Sequence, residues 1–429
     1  MTTVRIETHG CKLNQADSQA LTRTFEDSGY KIVGPDVLAD VYVLNTCTVT
    51  NSADQKARQT IRSARRNNPM AIIAVTGCYA QRSSESLKQL PELDLVFGNT
   101  DKHRIVDEIS NLESHYSPER DVYQDYYPAS QTLNVSRVRA MLAIQEGCNQ
   151  MCSYCIVPRV RGRERSLPVN YLVAQAQRLE REGYQEVVLT GTQLISYGFD
   201  LQQTSLKSLL IALLTETAIP RIRVSSLQPQ ILDEQLLELW HNPRLCPHFH
   251  IPLQSGSDNI LHVMKRRYTS ETFLKAVENV RRSMPNAAIT TDIITGFPGE
   301  TENDFLQTKI MCEKTRFSDI HVFPYSVRPG TSASYFKNTV THYTKTSRAK
   351  IIADVAAVHS KEFRLDMLNG KYSVLWENMK MVSGHKQWSG LTDTYIRTHT
   401  IHEDNLRNII TDAIPVESHR NSLFAKISL

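Results

Sequence analysis

No apolar run in the chain approaches the roughly 20 residues that a membrane-spanning helix requires. The first residues also lack the basic stretch and apolar core of an export signal, so a cytosolic protein is expected. Net charge is slight. Forty-nine Lys and Arg against 45 Asp and Glu leave +4 at pH 7, too little to argue for nucleic-acid binding unless the positive residues cluster. Low-complexity tracts and internal repeats are missing, which sets aside repeat architectures. Cysteine is sparse: eight in 429 residues cannot make a secreted disulfide scaffold, and free thiols suit a reducing compartment.

The placing of those few cysteines carries the most information. Cys148, Cys152 and Cys155 stand in EGCNQMCSYCIVPRVRGRERS with CxxxCxxC spacing. Three thiolates are one ligand short of a closed tetrahedral zinc site or a fully protein-held cluster, so an open coordination position is implied, and an iron-sulfur enzyme is expected. A zinc knuckle is the competing reading. Cys11, Cys47 and Cys78 are scattered, yet each follows an apolar, strand-like run: VRIETHGC, VYVLNTC and AIIAVTGC. Any one alone also reads as a buried small residue, because free cysteine is among the most buried types. Together they make a second metal centre the working expectation. Cys246 and Cys312 lack such context and read as core residues.

A chain this long exceeds what one core serves, so two or three domains are expected. In 1–112, strand-like runs alternate with helical stretches such as 17–28 and 53–67, the pattern of a parallel α/β sheet with crossover helices. Ligands of such sheets gather beyond the carboxyl ends of the strands, where the three scattered cysteines would converge. Residues 113–136 read as a polar linker. From 137 to 367, six strand-like runs (RAMLAIQ, EVVLTG, RIRVSS, HFHIPLQ, ITTDIITG and DIHVFPYS) are separated by helical stretches including 169–182, 205–217, 233–240 and 270–282. A partial β/α barrel fits, with its functional face at the strands' carboxyl ends, just where the Cys148 triplet falls. A long helical stretch over 346–368 then leads into short alternating runs, KYSVLWEN, MKMVSGHK, TDTYIRTHTI and NSLFAKISL, which predict a small β-barrel over 368–429 of nearly balanced charge.

Further motifs have a structural and a functional reading each. ITTDIITGFPGETENDF sets glycines and a proline at a strand-to-helix turn, with Glu300, Thr301 and Glu302 able to serve the helix start or the backbone amides able to hold a polar ligand. QSGSD, residues 254–258, and GTQLISYG, residues 191–198, share that ambiguity. Arg159, Arg161, Arg163 and Arg165, the helix-borne Lys56, Arg58, Arg62, Arg65 and Arg66, and Lys265, Arg266 and Arg267 form basic clusters that read either as solvated faces or as phosphate contacts. His248 and His250 alternate along a strand, which fits barrel-lining or structural residues rather than metal ligands.

With both triplets in place, the chain resembles the radical S-adenosylmethionine methylthiotransferase family along nearly its whole length. GCKLNQ, NTCTVTNSADQKAR, TGCYAQ and GCNQMCSYCIVPRVRGRERS are similar to the family signatures in order, and QSGSD, MKRRYT, GFPGETE and YSVRPGT extend the match. The resemblance implies an N-terminal methylthiotransferase domain, a radical S-adenosylmethionine barrel and a C-terminal TRAM barrel that binds RNA. It implies two 4Fe-4S clusters: one on Cys148, Cys152 and Cys155, whose open iron binds S-adenosylmethionine and yields a 5′-deoxyadenosyl radical, and an auxiliary one on Cys11, Cys47 and Cys78 concerned with sulfur. Tyr154, Gly191, Ser225 and Gly296 are the cofactor-pocket residues it suggests. The substrate implied is tRNA, with an electron donor and a sulfur donor as further partners. Within the family, GCKLNQ, NTCTVTN and MKRRYT look most like the branch that methylthiolates C2 of N6-threonylcarbamoyladenosine adjacent to the anticodon, at tRNA position 37. Other branches act on isopentenyladenosine in tRNA or on a ribosomal-protein aspartate, and a non-catalytic, cluster-bearing RNA-binding protein is the alternative outside enzymology. His9 departs from the aliphatic or aromatic residue usual at its place, and the last barrel is not strongly basic.

Overall fold

The computed structural model describes residues 1–115 and 138–428, with the side chains of 113–115 left aside. Most of the expected linker, 116–136, lies outside the described residues, whereas 113–115 close the helix Ile105–His115. The chain divides into two compact units, Met1–Ser136 with Ile156–Arg163, and Arg137–Cys155 with Glu164–Leu429.

In the first unit, strands β1 (Thr3–Thr8), β2 (Lys31–Ile32), β3 (Val41–Thr46), β4 (Ile72–Gly77) and β5 (Leu95–Val96) form a parallel sheet ordered β2-β1-β3-β4-β5. Every residue of the central strand β3 is buried, because side chains alternate between two covered faces. Val41 and Val43 pack with Phe25, Ile105 and Ile109 on one side, while Tyr42 and Leu44 meet Ala57 and Ile61 on the other. Helix Lys12–Asp27 follows β1, and Asn51–Asn67 follows β3, opened by Thr50, whose side chain accepts from the Ala53 amide.

The second unit holds the six expected strands in order: β6 (Arg139–Glu146), β8 (Glu186–Gly191), β9 (Arg221–Val224), β10 (His248–His250), β11 (Ala288–Thr295) and β12 (Asp319–Pro324). Parallel pairing runs β6-β8-β9 and β10-β11-β12, and a parallel bridge between Ser226 and His250 joins the halves. A two-residue strand, β7 (Arg165–Ser166), pairs antiparallel with the end of β6. Helices Val169–Arg181, Leu206–Glu216, Ser270–Ser283 and Glu302–Thr315 connect the strands, and one hydrophobic core joins their apolar faces to the outward strand residues.

Helix His342–Asp366 leads to a closed five-stranded barrel, β13 (Tyr372–Val382), β14 (His385–Thr392), β15 (Arg397–Ile401), β16 (Ile410–His419) and β17 (Ser422–Ile427), ordered β13-β14-β15-β17-β16. Of the four alternating runs expected here, KYSVLWEN and the first half of MKMVSGHK belong to the one strand β13, TDTYIRTHTI and NSLFAKISL contain β15 and β17, and the structure adds most of β14 and all of β16. No helix among the described residues is long and apolar enough to cross a membrane.

Candidate metal centres at the strand ends

Three neighbouring strands of the first unit, β1, β3 and β4, each run into a cysteine. Cys11 follows β1 and precedes helix Lys12–Asp27, Cys47 directly follows β3, and Cys78 opens the short helix Cys78–Arg82 after β4. Gly10 has φ +111, and a Cβ there would sit 2.7 Å from the Cys47 Cβ and 3.1 Å from its Sγ, so the β1 loop can approach Cys47 only through glycine. Buried amides fix the loops. Asn14 Nδ2 donates to the carbonyls of His9 at 2.8 Å and Thr46 at 2.9 Å, and Asn45 Nδ2 donates back to the Asn14 carbonyl at 2.8 Å. The sulfurs lie among weak donors, with the Val49 amide 3.5 Å from Cys47 Sγ and Asn99 Nδ2 3.8 Å from Cys78 Sγ.

Burial pushes the Cys47 thiol up to about 11, and the neighbouring Cys78 and Cys11 push the same way. Burial also raises Cys78, against the pull of the Arg161 guanidinium. Such thiols are poor nucleophiles near neutral pH, whereas a coordinated metal deprotonates them outright. Arg161, from the basic run after the second triplet, is not a solvated charge. Its side chain is 2% exposed and donates to Asn14 Oδ1 at 2.6 Å and Asp17 Oδ2 at 2.9 Å. His9, the departure from the family pattern, is accounted for locally: its Nε2 lies 3.1 Å from Glu7 Oε1.

In the second unit the loop after β6 carries Cys148, Cys152 and Cys155, so this triplet too lies beyond a carboxyl strand end. The Gln150 amide donates to Cys148 Sγ at 3.3 Å, and Arg266 Nη1 lies 3.3 Å from Cys152 Sγ. Ser153, between them, is fixed by its amide to the Met264 carbonyl and by its hydroxyl to the Val263 carbonyl. Burial raises the Cys148 thiol as well. Among the described residues neither triplet draws its sulfurs into the tight group that a single ion takes. A four-iron cluster offers its ligand positions on separate irons and accepts thiols set wider apart.

Around this triplet the strand ends present amides that sequence reasoning did not single out. Gln145 Oε1 accepts from the backbone of Thr192 at 3.0 Å and Gln193 at 2.9 Å, and Gln228 Nε2 donates to Gln193 Oε1 at 2.9 Å. A pocket of about 260 Å³ opens beside them, lined by Asn149, Gln150, Glu164, Gln193, Gln230 and Arg267 among others. Gln193 Nε2, Thr192 Oγ1 and Asn149 Oδ1 are buried and find no hydrogen-bond partner among the described residues. Buried orphan groups are costly unless a ligand or water completes them, so the chemistry of this pocket suits a polar ligand. A glutamine recurring at or after successive strand ends was the available signal.

Of the four suggested pocket residues, Gly191 ends β8, Ser225 directly follows β9, and Gly296 directly follows β11. A Cβ at Gly191 would lie 2.9 Å from the Gln145 carbonyl, which makes glycine a packing requirement there. Gly296 donates its amide to Glu300 Oε2 at 2.8 Å, so the GFPGE turn closes on itself, and Thr301 rather than Glu300 caps helix Glu302–Thr315. Tyr154 packs edge-on against Phe297, with ring centroids 6.3 Å apart. QSGSD is likewise built into the fold: Ser257 caps helix Asp258–Val263 and donates to Asp304 Oδ1 at 2.6 Å. Cys246 and Cys312 are buried core residues.

Residues 3–98 match the family model described as Uncharacterized protein family UPF0004, and residues 142–311 match that of the Radical SAM superfamily. The threonylcarbamoyladenosine tRNA methylthiotransferase MtaB of Bacillus subtilis is 37% identical over 408 residues, covering 92% of this chain and 90% of its own. Its Aquifex aeolicus namesake is 40% identical over 370 residues, covering 84% and 89%. A tRNA-2-methylthio-N(6)-dimethylallyladenosine synthase of Natranaerobius thermophilus is 31% identical, covering 98% of this chain and 95% of its own. Among solved structures, the radical S-adenosylmethionine methyltransferase TsrM of Kitasatospora setae shares the fold, with a TM-score of 0.55 at 14% identity over 78% of this chain and 77% of that one.

Proposed function

The chain belongs to the radical S-adenosylmethionine methylthiotransferase family, and on that premise we propose that it adds a methylthio group to C2 of N6-threonylcarbamoyladenosine beside the anticodon of tRNA. The observation that carries this reading is identity of 37–40% over 84–92% of this chain to relatives bearing that activity in their names, against 31–35% for relatives named tRNA-2-methylthio-N(6)-dimethylallyladenosine synthase. The enzyme uses S-adenosylmethionine and 4Fe-4S clusters. Cys148, Cys152 and Cys155 hold the cluster that binds S-adenosylmethionine, and Cys11, Cys47 and Cys78 hold the second. When bound, these groups supply the radical that activates an adenine C–H bond beyond the reach of ordinary bases, and the site for sulfur.

The chain's own residues position and shield. Gln145 fixes the Thr192–Gln193 backbone beside the Cys148 loop, and the orphaned polar atoms of Asn149 and Gln193 at the pocket, with that of neighbouring Thr192, would hydrogen-bond polar groups of S-adenosylmethionine. Tyr154 in the cysteine loop and Gly191, Ser225 and Gly296 at the strand ends, none of which lines that pocket, would contact the cofactor from beside it. Arg266 donates to Cys152 and offsets thiolate charge. Asn14, Asn45 and Arg161 hold the loops that carry Cys11 and Cys47. Exposed Lys56, Arg62, Lys265 and Arg267 serve as phosphate contacts for tRNA, with the C-terminal barrel as a further RNA-binding element. An electron donor and a sulfur donor complete the set of partners.

The test is mass spectrometry of nucleosides from threonylcarbamoyladenosine-containing tRNA, incubated anaerobically with reconstituted enzyme, reductant, sulfide and S-adenosylmethionine. The 2-methylthio derivative is expected. Cys148→Ala abolishes both S-adenosylmethionine cleavage and modification, whereas Cys11→Ala keeps cleavage and loses methylthiolation. Normal product from either variant defeats the ligand assignment, and cleavage without product on this tRNA moves the substrate to another acceptor.

A further inference from the structure

Inside the second unit, three strands direct polar residues into the barrel lumen. Side chains alternate along a strand. Phe249 of β10, Ile289 and Ile293 of β11 and Ile320 of β12 all lie in the hydrophobic core. Their neighbours His250, Asp292 and His321 therefore face the opposite way. Register brings the three together, since Asp292 is the direct partner of His321, and His250 pairs with Thr290, two residues before Asp292.

Their contacts form a compact set. His250 Nε2 lies 3.2 Å from Asp292 Oδ2, and His321 Nδ1 lies 3.1 Å from Asp292 Oδ1. One ligand atom from each residue falls within 4.8 Å of the others, the only such group of His, Cys, Asp or Glu among the described residues. Ligands about 2.1 Å from one ion are roughly 3.0–3.4 Å apart, and each histidine nitrogen stands at that separation from one of the two Asp292 oxygens, Oδ2 for His250 and Oδ1 for His321, so the carboxylate presents an oxygen to each ring. The far nitrogen of His250 is already held: Nδ1 meets the Thr290 hydroxyl at 2.9 Å. That partner fixes the ring so that Nε2 faces the group, as an outer hydrogen bond does for metal-ligating histidines. His250 is buried while His321 is about half exposed on the edge strand, so one side of the group is open.

We propose that His250, Asp292 and His321 form a site for one divalent first-row transition metal ion, separate from the cysteine centres. Two imidazoles and one carboxylate suit zinc, iron(II) or manganese over calcium or magnesium, which take oxygen ligands. Three protein ligands leave open positions for water or a substrate oxygen or nitrogen. The motif was hidden in the sequence because its members are 42 and 29 residues apart and converge only through parallel register.

Zinc distinguishes this site from cluster iron. Anaerobically reconstituted full-length protein is washed with chelator, exposed to zinc, desalted, and analysed for zinc, iron and sulfide in one sample. Wild type retains about one zinc per chain, while Asp292→Asn and His321→Asn retain essentially none with iron and sulfide unchanged. His321 lies on an exposed edge, so its variant keeps the test valid if Asp292→Asn folds poorly. Zinc-edge X-ray absorption must show nitrogen and oxygen neighbours only. Equal retention by wild type and variants, no retention by wild type, or sulfur around the zinc overturns the proposal.

Discussion

Arg266 shows how one backbone angle decides whether a charge belongs to the surface or to a site. In sequence it is the middle of a basic run, Lys265, Arg266 and Arg267, suggestive of phosphate contact. Helix Asp258–Val263 ends just before it, and Lys265 takes a left-handed φ of 58°, with the Arg266 amide returning to the Leu261 carbonyl at 2.9 Å. That reversal is a common helix-ending device. It turns Arg266 inward to Tyr268 and to Cys152 Sγ at 3.3 Å, and leaves Lys265 and Arg267 exposed. A cationic donor to a cluster thiolate favours the reduced, more negative cluster. Replacing Arg266 with Gln is therefore expected to lower the reduction potential of the cluster on Cys148, Cys152 and Cys155 by tens of millivolts, on the order of a hydrogen bond's free energy. A redox titration followed by electron paramagnetic resonance checks this, and an unmoved potential removes the role assigned to Arg266.

Strands and the turns leaving them explain both what was legible and what was not. β1, β3, β4 and β6 are strand-like runs that lead into cysteine-bearing loops, and β8 and β11 run into glycine turns, so the sheets and the positions of both triplets at strand ends could be read directly. β16 escaped because Pro415 interrupts its alternation and the register shifts between Pro415 and Glu417, a position where proline is tolerated at a bulge. β7 escaped because two residues have no period. Convergence of side chains from different elements, as for Arg161 with Asp17 on two helices or the glutamines around Gln193 near successive strand ends, depends on tertiary packing and is invisible in linear spacing. Gly77 puts a value on one such turn. Its φ is +93, and a Cβ there would fall 2.4 Å from Asn45 Oδ1 and 2.5 Å from the Thr46 carbonyl. Gly29 has φ +85 with nothing within 4 Å. Gly29→Ala should cost about 1 kcal/mol from backbone strain alone. Gly77→Ala adds a clash with backbone and should cost roughly 2–4 kcal/mol, together with loss of iron from the first unit. Denaturant unfolding and iron analysis of the two variants measure the difference, and equal costs would mean that the close approach does not constrain the turn.

At the scale of the second unit, the two barrels are joined by a buried ionic plug at the amino ends of the strands, opposite the cysteine loop. Arg139, Glu186, Arg221 and His248 are the first residues of β6, β8, β9 and β10. Arg223 Nε donates to Glu186 Oε1 at 2.7 Å, with both side chains 0% exposed, and its Nη1 reaches the Asp393 carbonyl of the C-terminal barrel at 2.8 Å. Arg221 donates to Ser373 Oγ at 2.7 Å and Arg139 to Glu377 Oε1 at 2.6 Å. Tyr395, at a left-handed φ of 71°, enters the mouth, stacking on His248 with centroids 4.8 Å apart and lying under Arg223. The cationic side of this plug outnumbers Glu186, so its carboxylate keeps the guanidinium groups together. Burial alone would push Glu186 up, but Arg223, Arg221 and Arg139 hold it below the usual carboxylate range. Glu186→Gln leaves the buried Arg223 with only neutral hydrogen-bond partners, the Thr392 and Asp393 carbonyls and the new amide, and should destabilise the unit by about 3–5 kcal/mol. The sign of the pH dependence follows from the depressed value. The carboxylate's contribution is complete above the pKa of an unfolded glutamate and is lost as pH falls through the lower folded value. The stability gap between wild type and Glu186→Gln is thus widest near neutral pH and closes under acid conditions. Denaturant unfolding of both proteins across that range tests the plug, and a gap independent of pH would show that Glu186 acts there by shape rather than by charge.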